Sequence, residues 1–392
     1  MPASRPPLVV HLVHSLTGGG TEQTLLALLN AFDPDRLCHS VVTLRAAGDL
    51  AARLPDHVAC RPLDIPNRSR IAWYSLARIL RDWRPAILHA RNTGTFWDAS
   101  IAATLTRSTR LVLGYHGLET PGPFNQRQRV VIRLAGPAGA RFTTVSHAGA
   151  RQLHQWAHVP QRRIHLVPNG VDLARFTRHD PADAARTRQN LGLSPDSFVI
   201  GTVGSLTPVK RQDLLIDAFA AATRELPRAH LLLVGDGPLR AKLDEHARKA
   251  GVPERVRFTG WRDDVPALLN GMDAFVCCSA SEGMSNSVLE ALAAGLPIIA
   301  TDVGDNPVLV RDNRAGRIVP PNDPAALANA LRDLGSSPEL RRQYARAART
   351  RAADFRFDRT VAAYENYYES LLAPRTVTRR APEPKSGVTR PA

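Results

Sequence analysis

Lysine is scarce in this 392-residue chain: four (Lys210, Lys242, Lys249 and Lys385) among 51 basic residues. The net charge of +15 is therefore carried almost wholly by arginine. Such a skew follows codon composition as readily as nucleic-acid binding. No zinc-finger or RNA-recognition signature accompanies it, so no nucleic-acid partner is expected. Cysteine is equally sparse. Cys38, Cys60, Cys277 and Cys278 show neither metal-ligand spacing nor a disulfide framework. The adjacent Cys277 and Cys278 sit in an apolar run and read as buried thiols of a strand. Long hydrophobic runs are missing too. Ala291–Ala300 is broken by Gly295 and Pro297 and falls well short of a bilayer span. Leu8–Val13 is six residues, includes His11, and is too short and polar for a secretory leader. The expected location is the cytosol. Acidic residues are absent from Thr120–Val171, which carries seven arginines. There Arg127, Arg129 and Arg133 interleave with Val130, Val131, Ile132 and Leu134. Two readings stay open: a solvated helix face, or peripheral docking on anionic lipid at the inner membrane face.

What is present is length and regular alternation. The chain is too long for one ordinary core, and 44% hydrophobic content supports two. Strands are expected at Leu8–Val13, His39–Leu44, Ala86–Ala90, Leu111–Gly114, Phe142–Val145 and Ile164–Val167. Helical patterns lie between them at Glu22–Ala31, Ile71–Trp83 and Thr95–Leu105. The alternation predicts a parallel sheet covered on both faces. It stalls at Asn169-Gly170 and in the polar stretch Asp172–Asp196. A second series follows at Phe198–Val203, His230–Val234, Val256–Phe258, Ala274–Cys277 and Pro297–Ala300. Two doubly wound α/β units facing a cleft are expected, linked near residues 169–195. The expected division is 1–175, 176–354, a packing helix over 355–373 and a disordered basic tail over 374–392.

In such sheets ligands bind beyond the carboxyl ends of the strands. Five segments stand there. Thr17–Glu22, with Gly19 and Gly20, follows the first strand but lacks a dinucleotide fingerprint. Arg91 and Asn92 follow the third expected strand, and His116 follows the fourth, between glycines. Gly204–Gln212 opens the second unit, with Gly204 permitting close approach and Lys210 at the next helix start as a diphosphate contact. Ser281–Glu290 runs from strand through loop into helix. It presents the amides of Met284, Ser285 and Asn286 at a helix N-terminus, which suits a phosphate. Glu282 can reach the cleft. Glu290 is read either as a ligand contact or as the return arm of a capping box begun at Ser287.

Together these residues resemble the family 4 glycosyltransferases of the GT-B fold. Four motifs match in order over most of residues 8–372: Gly19–Glu22, Val167–Asp172, Gly204–Lys210, and Glu282–Glu290. The resemblance implies a retaining, metal-independent transferase that uses a nucleotide-diphosphate sugar as co-substrate and no cofactor. Glu290 would bind the ribose, and Glu282 hydroxyls of the transferred sugar. Amides of Gly283, Met284 and Ser285 would contact sugar and phosphate, with Asn286 beside them. Lys210 would neutralise the leaving diphosphate, and Gly260 and Trp261 would lie near the base. Gly19, Gly20 and His116 would shape the first-domain side, with Arg91 and Asn92 beside the acceptor. The acceptor would be a glycan or a lipid-linked precursor of surface polysaccharide. One departure is visible. Ser205 stands where the family usually has an arginine, and Arg211 is the candidate to replace it. A GT-B-like epimerase or sugar phosphorylase, and a non-catalytic basic binding module, are the alternative readings.

Overall fold

A computed structural model describes residues 5–65, 72–107, 109–116, 126–136, 139–177, 181–310 and 314–373. The tail beyond 373 therefore lies outside the described residues, as do parts of the arginine-rich stretch. Seven strands form the first sheet: β1 (Leu8–Val13), β2 (Cys38–Thr43), β3 (Ala59–Pro62), β4 (Ile87–Ala90), β5 (Arg110–Tyr115), β6 (Arg141–Thr144) and β7 (Ile164–Leu166). Their order is β3-β2-β1-β4-β5-β6-β7, and every pairing is parallel.

Six strands form the second sheet: β8 (Phe198–Val203), β9 (Ala229–Val234), β10 (Val256–Gly260), β11 (Ala274–Cys277), β12 (Ile298–Thr301) and β13 (Gly316–Val319). Their order is β10-β9-β8-β11-β12-β13. Both sheets reverse winding beside their first strand, which opens a crevice at the carboxyl ends. This is the expected GT-B arrangement. Helices cover each sheet, so central strands such as β4, β11 and β12 are buried throughout and carry apolar runs.

Two strands were not expected, β3 and β13, and both are edges. The sequence Ala-Cys-Arg-Pro of β3 alternates exposed with half-buried positions and ends in proline. An edge strand needs neither full burial nor a complete ladder, so its hydrophobic signal is weak. The segment between the two sheets holds the helices Leu173–Phe176 and Pro181–Asn190.

The chain crosses between the sheets twice, and the crossings are paired. Val171 donates its N–H to the Phe355 carbonyl at 2.8 Å, and Phe357 returns a bond to Val171 at 3.1 Å. Gly170 must be glycine here, because a Cβ would stand 2.5 Å from Thr360 Oγ1. The Val-Pro-Asn-Gly-Val-Asp motif is thus the seam where the two crossings pair. After it, the helix Phe357–Leu372 returns onto the first sheet. Val361, Tyr364, Tyr367 and Tyr368 bury there with Leu25, Leu29 and Val167. Burial of each such side chain contributes about 1.5–3 kcal/mol. Arg36 fastens the outer side by ion pairs to Glu365 and Glu369.

Candidate active site in the interdomain cleft

The cleft encloses a cavity of about 660 Å³ between the strand ends of the two sheets. Its second-domain wall is built from two loops tied together. Ala280 donates its N–H to the Val209 carbonyl at 2.8 Å, and Cys278 Sγ donates to the carbonyls of Lys210 and Arg211 at 3.2 Å. Cys277 and Cys278 are buried, as their sequence context implied. This places Lys210 beside Glu282. Lys210 Nζ donates to Glu282 Oε1 at 2.6 Å, and Ser279 Oγ donates to the same oxygen at 2.7 Å. Burial pulls the Lys210 ammonium down, but the Glu282 carboxylate more than offsets it, so the pKa is raised. Lysine is held charged at the cleft.

The helix Asn286–Ala293 follows. Its N-cap is Ser285, whose hydroxyl makes no capping bond. The first bond within the helix is Leu289 N–H to the Ser285 carbonyl, so the amides of Asn286, Ser287 and Val288 have no intrahelical acceptor. With the Ser285 amide at the cap, the free donors run from Ser285 into the first turn and include the expected Ser285 and Asn286. The capping-box reading of Glu290 fails for the same reason. With Ser285 at the cap, Ser287 is already inside the first turn and Glu290 lies beyond capping reach. Glu290 faces the cavity instead. Burial pushes its carboxyl up to about 7, with the Arg175 cation opposing.

The first-domain wall is formed by Gly19 and Gly20 after β1, Arg91 after β4 and His116 after β5. Burial, with the Arg91 charge adding to it, pushes the His116 imidazole down to about 3. His116 is therefore neutral. Side chains bridge the walls directly: Asn286 Nδ2 donates to Thr24 Oγ1 at 3.0 Å, and Asn169 Nδ2 donates to the Met284 carbonyl at 3.1 Å. Asp305 makes a third bridge. Its buried carboxylate accepts from the N–H groups of His147 and Ala148, at 2.8 and 3.1 Å, at the start of the helix His147–Gln155. The adjoining Gly304 (φ +58°) has its Cα against the donor loop, where a Cβ would stand 2.2 Å from the Glu282 carbonyl.

Of the expected residues, Gly19, Gly20, Arg91, His116, Gly204, Ser205, Lys210, Trp261, Glu282, Gly283, Met284, Ser285, Asn286 and Glu290 line this one cavity. Three do not. Arg211 adopts a left-handed conformation (φ +51°) that turns its guanidinium toward Asp213 and Asn322, away from Ser205. So placed, it does not line the cavity in place of the missing arginine. Gly260 is held in a bridge to Gly235, one residue behind Trp261. Asn92 leaves the wall to its neighbour Arg91. Sequence reasoning missed Asn169, Arg175, Asp305 and Tyr364. The first two belong to or directly follow the Val167–Asp172 motif, so that motif was the available signal. Among the described residues, no three His, Cys, Asp or Glu side chains are grouped to hold a metal ion.

The profile for "Glycosyltransferase Family 4" matches residues 18–175, and that for "Glycosyl transferases group 1" matches residues 183–351. The chain belongs to this glycosyltransferase family. Among family members, the D-inositol 3-phosphate glycosyltransferase of Salinispora arenicola is 36% identical over 230 residues, 54% of this chain and 50% of that protein. The chain thus spans about half the length of the curated relatives it matches first. The UDP-Gal:alpha-D-GlcNAc-diphosphoundecaprenol alpha-1,3-galactosyltransferase of Escherichia coli is 29% identical over 316 residues, 76% of this chain and 79% of that one. Among solved structures, Anabaena HepE in complex with UDP and glucose superposes with a TM-score of 0.81 at 23% identity, covering 93% of this chain and 99% of HepE. WaaG, a glycosyltransferase involved in lipopolysaccharide biosynthesis, gives 0.76 at 18% identity over 92% and 99%. At these identities the structural likeness concerns the GT-B fold. No helix among the described residues is long and apolar enough to cross a membrane.

Proposed function

We propose that this chain is a retaining glycosyltransferase that moves a sugar from a nucleoside-diphosphate sugar onto a glycan or lipid-linked acceptor. The observation that carries the reading is the Lys210–Glu282 pair at 2.6 Å, placed beside a helix N-terminus and the half-buried Glu290 in one cavity. Breaking a glycosyl–phosphate bond leaves charge on the departing diphosphate. Lys210 and the free amides of Asn286–Val288 face that charge. Preorganised donors of this kind contribute about 3–4 kcal/mol each at the transition state. In the unliganded chain Glu282 neutralises Lys210. A bound diphosphate takes over that role and frees Glu282 for hydroxyls of the transferred sugar. Glu290 accepts from the ribose hydroxyls.

Retention follows if the acceptor hydroxyl attacks the anomeric carbon from the face the phosphate leaves, with a phosphate oxygen taking its proton. The cationic wall supplies the neutralisation a metal would otherwise provide, so activity should survive a chelator. Support for the donor class comes from HepE, solved with UDP and glucose, and support for a lipid-linked acceptor from the E. coli relative's name. Peripheral contact with an anionic membrane and a cytosolic location belong to the same proposal. The helix Gln126–Leu134 offers exposed Arg133 and Val130 for that contact.

The test is incubation with UDP-glucose or UDP-galactose and a polyprenyl-diphosphate-linked sugar, scoring UDP release and the anomeric coupling of the product by NMR. Acceptor-dependent UDP release with an α product from an α donor supports the reading. A β product overturns retention. Sugar inversion without transfer would make the chain an epimerase, and consumption of orthophosphate a phosphorylase. Salt-sensitive DNA binding without donor binding would make it a basic binding module.

A further inference from the structure

Arg91 is the cation that the proposed reaction leaves unused. Its side chain is 2% exposed, yet it lines the first-domain wall of the cavity. Every partner it has is neutral. Its Nε–H donates to His11 Nδ1 at 3.2 Å, its Nη2 donates to the Tyr368 hydroxyl at 3.3 Å, and it lies 4.9 Å over the Tyr364 ring. These bonds fix the direction of two chains. Because His11 accepts at Nδ1, its Nε2 donates to His39 Nδ1 at 3.0 Å. Because Tyr368 accepts from Arg91, it donates to His89 Nδ1 at 2.8 Å, and His89 Nε2 donates to Thr143 Oγ1 at 3.1 Å. Burial, reinforced by the Arg91 charge, holds His11, His39 and His89 below their ordinary pKa, so none adds a charge of its own.

Among the described residues no carboxylate pairs with Arg91, whereas the half-buried cavity cation Lys210 has Glu282. A buried charge without a counter-ion costs several kcal/mol. A ring face and neutral acceptors return about 2 kcal/mol of that. Recognition of neutral sugar hydroxyls needs no such expense, since an amide side chain would serve. A guanidinium fork is matched to a carboxylate or a phosphate. The donor's diphosphate has its cation and helix terminus on the opposite wall. His116, also on the first-domain wall, adds a buried Nε2 with no partner.

We propose that Arg91 and His116 form an oxyanion subsite for the acceptor, so that the acceptor sugar or its carrier bears a phosphate or a carboxylate within reach of the transferring hydroxyl. This inference rests on the glycosyltransferase reading and narrows its acceptor class.

The experiment saturates the protein with UDP, which fills the donor clamp, and then titrates inorganic phosphate at constant ionic strength, following binding by calorimetry. The wild type should bind phosphate in the presence of UDP. Arg91→Gln should weaken that binding about tenfold or more, the loss of one charge-assisted pair. UDP affinity should stay within about twofold, since Arg91 lies on the opposite wall from the diphosphate clamp. Arg91→Lys, which keeps the charge and loses the fork, should fall between. Glucose 6-phosphate and glucuronate, each against glucose, separate a phosphoryl from a carboxylate acceptor, and preference for either supports the subsite. Equal phosphate binding in wild type and Arg91→Gln overturns it, as does no binding in the wild type. Should Arg91→Gln fail to fold, the ring resonances of His116 and His89 in the wild type decide: they must move when phosphate is added. Failure to bind UDP, or any nucleoside diphosphate, would instead sink the glycosyltransferase reading, whatever phosphate does.

Discussion

Glu290→Gln is expected to make the unliganded chain more stable at slightly alkaline pH while weakening its grip on nucleotide. A carboxyl of ordinary pKa 4.5 is pushed by burial up to about 7, with only Arg175 opposing. At about 1.36 kcal/mol per unit, keeping it ionised costs the folded chain on the order of 3 kcal/mol. The sign follows from the direction. A carboxyl raised in the folded state contributes most below its unfolded pKa, and that contribution is lost as pH rises through about 7. Glutamine removes the titration, so the variant's gain should be largest near pH 8 and shrink toward pH 5. Binding has the opposite sense. Ribose hydroxyls donate to a carboxylate, so the ionised form is the competent one. Its population alone makes UDP affinity fall about tenfold from pH 8 to pH 6. The UDP phosphate titrates in the same range, but equally in both proteins. The assay is calorimetric UDP binding at three pH values for wild type and variant, with thermal unfolding run alongside. Parallel pH profiles for the two proteins, or a variant less stable than wild type near pH 8, would refute the placement of Glu290 as a desolvated ribose acceptor.

Lys210→Ala should lower kcat about 100- to 1,000-fold, the cost of one preorganised donor at a developing oxyanion. Turnover within a few-fold of wild type would remove it from the clamp. Asp305→Ala deletes the carboxylate that caps the helix His147–Gln155 from the other domain. It should cost about 1–2 kcal/mol of stability and enlarge the radius of gyration in solution scattering, because the bridge spans the cleft; unchanged scattering and Tm would count against that role. Arg36→Ala leaves Glu365, whose side chain is 7% exposed, without its ion pair. A lower midpoint of denaturant unfolding is expected, since Glu365 then keeps, among the described residues, only the Asp33 N–H as a partner, and a neutral effect would show that the C-terminal helix is held by its aromatics alone.

The fold was legible where it is most buried. β1, β8 and β11 run over the residues expected of them, because strands covered on both faces must be apolar along their length. The edges β3 and β13 escaped because an edge strand is released from that demand. In the cleft, the loop residues that follow predicted strands were found by position alone, Lys210 and Glu282 foremost. Asp305 was invisible for a different reason. Its function is to accept amides from a helix nearly 160 residues earlier in the chain, and no local pattern encodes a partner at that distance. Arg211 illustrates the converse error. It adjoins Lys210 in sequence, but the left-handed turn between them sends the two cations in different directions.

Polar residues inside apolar strands carried information that periodicity discards. His11, His39 and His89 occupy β1, β2 and β4, three adjacent strands, and His11 pairs in register with both Val41 and His89. Each stands in a largely apolar strand, and each is at most 4% exposed. Burying three imidazoles in one sheet is costly unless each bonds to a partner, and the partners form a single network rooted at Arg91. The histidines on these neighbouring strands thus mark a buried polar network beneath the cleft, a signal the sequence reading did not use. The network also accounts for the C-terminal helix in a way packing alone does not. Tyr368 is fully buried, yet its hydroxyl is placed between Arg91 and His89. The helix that closes the chain thus completes the polar floor of the first-domain wall as well as covering its core.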